Sequence, residues 1–318
     1  MIQYRCFRNT DPPHLVRLWH EAELGRGAAG GFSCDAFDGL VLSQPYFDPR
    51  GLIVALDEDR LVGFAHGGFG TTPQEDRLDR TNGVVCAVIV HPEYRRRGIG
   101  RELVTKVEQY LRQSGAEQIF AGPAYPRDPF YFGLYGGAEP CGFLKSDAAA
   151  EPFFTALGYE PVQHFAWMER NIAETSDPIN LRVLAIRRMH QLEILDQPPE
   201  PTWWWITRLG RLDSLQFLLC PRKGGEWAAM LTVIGLDLYI AKWGVRAIGI
   251  TGLEVREDLR GKRYGQALLI EVARRLRQEL ATHLEANVPM DNEACLATFR
   301  AAGFQQIDTG VVYQKRSA

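Results

Sequence analysis

Twice in 318 residues an apolar run ends in a short loop rich in arginine and glycine, and a helix-spaced series of leucines and valines follows. In the first copy, residues 84–90 form a continuous β-branched run, long enough only for a buried strand. His91-Pro92-Glu93-Tyr94 leads into Arg95-Arg96-Arg97-Gly98-Ile99-Gly100; Leu103, Val104, Val107 and Leu111 then recur at helical spacing, and Gly115 ends the helix. In the second copy, the run over residues 247–255 leads to Arg260-Gly261-Lys262-Arg263-Tyr264-Gly265, followed by Leu268, Leu269, Val272 and Leu276. Aligned, residues 88–95 match residues 253–260, and Leu157-Gly158-Tyr159 matches Ala302-Gly303-Phe304. A period near half the chain makes the repeat unit a domain, not a solenoid turn. The duplication therefore predicts two α/β units. The polar, proline-containing stretch 171–178 divides them into residues 1–172 and 173–318.

The remaining pattern agrees with alternating strands and helices. Residues 4–7 form a short strand candidate. Asp11-Pro12-Pro13 offers an N-cap and a fixed first turn for a helix through Leu15, Leu18 and Trp19. Ser33 is placed to cap a second helix through Phe37, Leu40 and Val41. Residues 52–56 and 61–69 flank a polar Asp57-Glu58-Asp59-Arg60 and predict a hairpin. Asp147 is placed to cap a helix through Phe153, Phe154 and Leu157, closed by Gly158, and residues 165–168 form a strand. In the second half, residues 215–219 and 227–234 read as strands, and a capped helix runs from Asp291 towards Gly303.

The net charge is −3, which argues against a general nucleic-acid or membrane-surface binder, because phosphate-dominated affinity needs a strong positive field. Cys6, Cys34, Cys86, Cys141, Cys220 and Cys295 are scattered, with no C-x-x-C pair. They read as reduced thiols rather than a disulfide framework or a zinc site. The first residues lack the shape of a signal peptide, and no 18-residue apolar stretch occurs. A cytoplasmic protein is expected, with no membrane span. The seven histidines show no paired metal spacing, so no metal is expected.

The first loop has the physical make-up of an anion site. The N–H groups at a helix start have no helical partner, and the helix dipole adds partial positive charge there. Gly98 and Gly100 lack Cβ atoms, so backbone can wrap closely around an oxyanion. Phosphate or pyrophosphate is the matching ligand. Taken alone, R-x-x-G-x-G is equally a tight strand-to-helix turn with a solvated basic patch. It is neither a Walker A loop nor a G-x-G-x-x-G fingerprint. Its position between a buried strand and an amphipathic helix, and its recurrence, favour the anion site.

Residues 90–100 resemble the acetyl-CoA motif of the GNAT N-acyltransferases, Q/R-x-x-G-x-G/A, and residues 153–159 resemble the family's later helix ending in Gly-Phe or Gly-Tyr. In the second half, residues 255–269 resemble the same motif, and residues 292–304 the family's Asn-containing helix. The resemblance covers most of both halves and is weakest over residues 176–202. It implies an α/β (α+β) fold with two units, each a mixed, twisted, partly splayed sheet flanked by helices. It implies acetyl-CoA, or another short acyl-CoA, with the pantetheine arm along Val88, Ile89 and Val90. The pyrophosphate would sit on the loop from Arg95, Arg96, Arg97, Gly98, Ile99 and Gly100 to Arg101, with Asp147 at the place of the family's Asn. A second such site would comprise Leu253, Val255, Arg260, Gly261, Lys262, Tyr264, Gly265 and Asn292.

Three departures bear on chemistry. The family's thiolate-protonating tyrosine is replaced by Phe154 and Phe299, and a phenyl ring cannot donate a proton. Arg263 stands where the second loop's first glycine should be, so the second site is the one expected to be degenerate. The strand over residues 84–90 has no carboxylate; Glu254 lies in the equivalent second strand, where a surface charge is an equally good reading.

The long segment 122–142, rich in Tyr, Phe, Gly and Pro, is placed by the resemblance over the thioester end of the tunnel. It reads either as an acceptor-binding loop or as a self-packed minicore. Within it Tyr135 and Glu139 are the candidates for proton transfer, and Asp128 or Glu139 for attracting a cationic amine. Trp203-Trp204-Trp205 reads as packing between the halves. The expected activity is acetyl transfer to an amine, on a small molecule or a protein, with the chemistry in the first half. The alternative is an acyl-CoA-binding sensor or assembly module without chemistry. Two fused copies pack as a pseudo-dimer, so a monomer or a homodimer is expected.

Overall fold

The computed structural model describes residues 1–198 and 200–316. The first half runs β1 (Ile2–Cys6), α1 (Pro12–Glu21), α2 (Cys34–Phe37), β2 (Leu52–Asp57), β3 (Arg60–Thr71), β4 (Leu78–Val90), α3 (Ile99–Gln113), β5 (Gln118–Ala121), β6 (Phe143–Leu144), α4 (Ala150–Ala156) and β7 (Tyr159–Asn171). The second runs α5 (Leu181–Met189), β8 (His190–Leu195), α6 (Trp203–Leu209), β9 (Ser214–Pro221), β10 (Ala229–Gly235), α7 (Ile240–Trp243), β11 (Ala247–Val255), α8 (Tyr264–Gln278), β12 (His283–Pro289), α9 (Glu293–Ala301) and β13 (Gln305–Lys315). The sheet is mixed: β4–β5 and β11–β12 are parallel, and the other neighbours are antiparallel.

The two long helices form where the apolar spacing places them. α3 buries Ile99, Leu103, Val104, Val107 and Leu111 on one face, against β2, β3 and β4. At roughly 2 kcal/mol for each fully buried aliphatic side chain, this face is worth on the order of 10 kcal/mol before chain entropy is subtracted. α8 does the same in the second half through Leu268, Leu269, Val272 and Leu276. The predicted hairpin is β2–β3, with Asp57 opposite Arg60.

Two predicted caps form differently. Asp11 stands at the N-cap of α1 but its carboxylate is taken by Arg5, at 2.7 Å to each oxygen, and by the Arg8 N–H. Ser33 precedes α2 without a side-chain cap bond, and the helix is one turn continued by a π turn over Asp38–Leu42.

The halves meet through exchanged strands. The order is β1-β2-β3-β4-β5-β13-β7-β12-β11-β10-β9-β8, with β6 pairing β13 off the path. The last strand of the chain, β13, lies beside β5, with Tyr313 opposite Ala121. The last strand of the first half, β7, lies beside β12, with His283 opposite Asn171 and Pro289 opposite Phe165. β7 and β13 pair with each other along nearly their whole length. Each half thus completes its sheet with the other's final strand. One apolar cluster accordingly spans both halves, joining Trp19, Phe37 and Tyr131 to Ile234, Tyr239 and Val312.

The tryptophan run begins α6, capped by Thr202, whose hydroxyl accepts from the Trp205 N–H at 3.0 Å. Trp204 is fully buried and stacks on Tyr46 of the first half at 5.2 Å.

Candidate active site

Parallel pairing of β4 with β5 stops at Val85 and Ala121, and the Gly122 N–H donates to the Val85 carbonyl at 3.0 Å. Beyond that point the strands part. The N–H groups of Val88 and Val90 then lie on an open strand edge, which suits an extended amide-bearing ligand, whereas that of Ile89 faces Phe64 of β3; all three residues border the opening. They line a cavity of about 930 Å³. Its walls are formed by Arg95, Arg96, Gly98, Ile99, Gly100 and Arg101 of the loop, by residues 23–27 and Tyr135, and by Asp147, Phe153 and Phe154.

The backbone of the loop has two left-handed residues, Arg96 at φ +64° and Gly98 at φ +82°. The second loop has the same two positions filled in reverse: Gly261 at φ +71° and Arg263 at φ +73°. Gly98 is the N-cap of α3, so the helix's first N–H groups point out of the loop. A Cβ on Gly98 would meet nothing within 4 Å, whereas one on Gly100 would press to 3.2 Å of Phe153. Conformation requires the first glycine, and close approach of α4 the second.

The three arginines divide their work. Arg95 donates to the Val90 carbonyl at 3.1 Å and to the Ala22 carbonyl, tying the loop to the strand end and to α1. Arg260 repeats this, donating to Val255 at 3.2 Å. Arg97 turns away and stacks over Tyr94 at 5.0 Å; its side chain is not part of the cavity wall. Asp147 lines the cavity but is not the cap of α4. That helix starts three residues later, and the Asp147 carboxylate accepts from the Ala149 N–H at 3.1 Å.

Tyr135 and Glu139 are not brought together. Tyr135 reaches the cavity, where its oxygen accepts from the Leu144 N–H at 3.3 Å. Burial holds its phenol far above the ordinary tyrosine value. Glu139 instead enters the second half, and its carboxylate accepts from the Thr251 hydroxyl of β11 at 2.7 Å. Asp128 is buried in an ion pair with Arg208 of α6, so it too faces away from the cavity. Segment 122–142 is therefore divided: its aromatics Phe130 and Tyr131 belong to the core, Tyr135 lines the first cavity, and Glu139 bonds to β11 of the second half.

The second half has its own parted strands. β11 pairs β12 only as far as Ile250 and Ala286; from there to Val255 it stays paired with β10 and its other edge is open. A groove of about 720 Å³ follows, lined by Leu253, Val255, Arg260, Gly261, Tyr264, Gly265 and Asn292 among others. Lys262 lies outside it, bonded to the Asp258 carbonyl at 2.9 Å. Arg263 folds along α8 onto Gln266 at 3.0 Å, and Asn292 caps α9 through the Cys295 N–H at 3.1 Å. The inner end is occupied by the first half. Ala138 lies directly on Gly249, where a Cβ would stand 2.2 Å from that of Ala138, and Glu139 takes Thr251.

Spacing along the chain does not point to Glu285, Asn287, Tyr239 or Arg26, although the structure sets them around this junction. Glu285 is fully buried, accepting from the Ala138 N–H at 2.7 Å and from Trp167 Nε1 at 2.8 Å. Burial pushes its carboxyl up to about 8, against the pull of those two donors and with Glu139 and Glu169 adding to the rise. The one signal in the sequence is a carboxylate and an amide at alternate positions of an otherwise apolar strand. Arg26 pairs with Glu169 and lies over Trp243 at 5.3 Å. Among the described residues no cluster of three or more His, Cys, Asp or Glu is arranged to hold a metal ion, and no helix is long and apolar enough to cross a membrane.

A parallel strand pair parted ahead of a helix-capping loop, present twice, defines a tandem acyltransferase architecture. The profile of the acetyltransferase (GNAT) family matches residues 13–134 and again residues 183–304, so the chain belongs to that family, whose members use acetyl-CoA or related acyl-CoAs. It is 26% identical over 286 residues to the mycothiol acetyltransferase of Saccharomonospora viridis, covering 87% of each chain. It is 32% identical over 114 residues to the mycothiol acetyltransferase of Propionibacterium freudenreichii, a match that spans 35% of that protein's length. Among solved structures, a tandem GNAT protein from the clavulanic acid biosynthesis pathway superposes over the whole of both chains with a TM-score of 0.71 at 17% identity, a likeness of fold.

Proposed function

We propose that this protein transfers an acetyl group from acetyl-CoA to the amino group of an acceptor, and that the reaction takes place in the first of its two repeats, residues 1–172 and 173–318. One observation carries the assignment to a half. The first groove is open from the loop at Gly98 to the Tyr135 hydroxyl, whereas Ala138 and Glu139 fill the inner end of the second. The free edge at Val88 and Val90 would bond the pantetheine amides through its N–H groups. The N–H groups of residues 96–100 would hold the pyrophosphate, with Arg96 and Arg101 beside it. These donors are unspent by the fold, which is the test that the groove fits such a ligand.

The chemistry needs a proton donor, and Phe154 is not one. Tyr135 is the donor we assign. Its oxygen accepts from Leu144, and no bond among the described residues engages its own hydrogen. Burial keeps it protonated at neutral pH. The acceptor nitrogen attacks the thioester carbonyl carbon, the C–S bond breaks, Tyr135 gives its proton to the departing thiolate, the nitrogen loses one to solvent, and Tyr135 regains one from solvent. Similarity over 87% of the chain to a mycothiol acetyltransferase supports acetyl transfer, and mycothiol-type amines belong in the panel of acceptors. In the second half, Glu139 on Thr251 favours the other reading, an acyl-CoA-binding module without transfer.

The test is release of free thiol from acetyl-CoA with a panel of small-molecule and peptide amines. Turnover with at least one amine is expected. Tyr135→Phe should lower kcat about 100-fold with little change in KM for acetyl-CoA. Absence of turnover with every amine, despite tight acetyl-CoA binding, would overturn the enzymatic reading.

A further inference from the structure

The wall of the first groove that contains Tyr135 is held from both halves. Within the first half, the Tyr135 N–H donates to the Tyr131 carbonyl at 3.2 Å, its oxygen accepts from the Leu144 N–H, and a bridge to Ala28 adds Ala29 N–H to the Leu134 carbonyl and Gly136 N–H to the Gly27 carbonyl, both at 2.8 Å. Trp19 Nε1 holds the facing loop through the Ala29 carbonyl at 2.9 Å. The turn that follows Tyr135 takes its side-chain anchors from the second half. Asn287 Nδ2 of β12 donates to the carbonyls of Gly136 and Glu139 at 2.6 and 2.7 Å. The Tyr239 oxygen accepts from the Gly137 N–H at 3.1 Å and lies 3.3 Å from the Gly27 carbonyl. Lys242 Nζ donates to the Ala28 carbonyl at 3.2 Å, and Trp243 Nε1 to the Arg26 carbonyl at 3.0 Å.

Position matters here because proton transfer falls steeply with donor distance and direction. Asn287 binds the residue next to Tyr135 and the turn's far end with one amide group, so it sets where the chain leaves Tyr135. It touches neither groove wall nor ligand position. We propose that Asn287 is a positioning residue for the reaction in the first half, acting across the junction by fixing the 136–139 turn and with it the Tyr135 hydroxyl. This rests on the assignment of Tyr135 as the proton donor. It also gives the second half a role in catalysis that needs no chemistry of its own.

Asn287→Leu, close in size but without the donor, tests it in the full chain, using acetyl-CoA and the best acceptor of the amine panel. The expected result is a ten- to hundredfold fall in kcat, with KM for acetyl-CoA within twofold, because Asn287 bonds only to the turn at Gly136 and Glu139 and not to the loop at Gly98. The double variant with Tyr135→Phe should be no slower than Tyr135→Phe alone, since a misplaced hydroxyl and an absent one cost the same step. Losses that multiply in the double variant would overturn the proposal, because Asn287 would then act through something else. An unchanged kcat for Asn287→Leu, beside a large loss for Tyr135→Phe, would overturn it while leaving the role of Tyr135 intact. An unchanged kcat for Tyr135→Phe would remove that role and this inference together. Should Asn287→Leu not fold, Asn287→Ser, which is too short to reach the two carbonyls, carries the test: a fall in kcat with KM unchanged supports the proposal and an unchanged kcat overturns it.

Discussion

Arg263 holds a left-handed backbone conformation that the corresponding Gly98 adopts without strain. For a residue with a Cβ this costs about 1 kcal/mol. Arg263→Gly should therefore raise the unfolding free energy by roughly that amount, less the extra chain entropy of glycine, and urea titration will measure it. Its side chain leaves the loop for Gln266, so the substitution also tests whether the second groove is limited by this position or by the Glu139 plug. Glu285 makes a second prediction. Its folded carboxyl titrates at about 8, above its ordinary value of 4.5, so its contribution to stability is complete below about 4.5 and is lost as the pH rises through 8. Stability should fall by up to about 1.4 kcal/mol per pH unit across that window. Glu285→Gln should flatten the slope in chemical denaturation at pH 6 to 9; an unchanged slope would show that another group is responsible.

Among elements, the unit of β4, loop and α3 is the one whose sequence and structure agree at every level. Apolar spacing sets the buried face of α3, and Gly98 supplies the backbone turn at its start. Gly98→Val should cost about 1–2 kcal/mol through the same strain and raise the Kd for acetyl-CoA at least tenfold. Calorimetry and a thermal melt will separate the two effects. The short elements agree less well. α5 and β8 lie where the family pattern is weakest, and neither is predicted. α4 begins after Asp147 rather than at it, because that carboxylate closes a local turn.

At the scale of the molecule, the exchanged strands make the halves interdependent. Residues 1–172 alone would leave the β5 edge and both edges of β7 unpaired. That fragment should be insoluble or self-associating on size exclusion, whereas adding residues 305–318 as a separate peptide should improve its recovery. A soluble, monomeric fragment with a cooperative melt would contradict this.

The sequence alone determined what is local: two strand–loop–helix units, the helix faces, and a loop able to bind an anion. These follow from periods of 2 and 3.6 and from glycine's freedom at positive φ, which act within a few residues. Only the tertiary structure decided the rest. A strand's alternation tells which side faces the core, not which neighbour it pairs with, so nothing in residues 159–171 or 305–315 announces the exchange. Glu139 and Thr251 are 112 positions apart, and no spacing rule joins them. Their contact, and the Asn287 anchor beside it, exist because the exchanged strands bring the turn at residues 136–139 against the second half's parted strands, where buried polar groups must find partners.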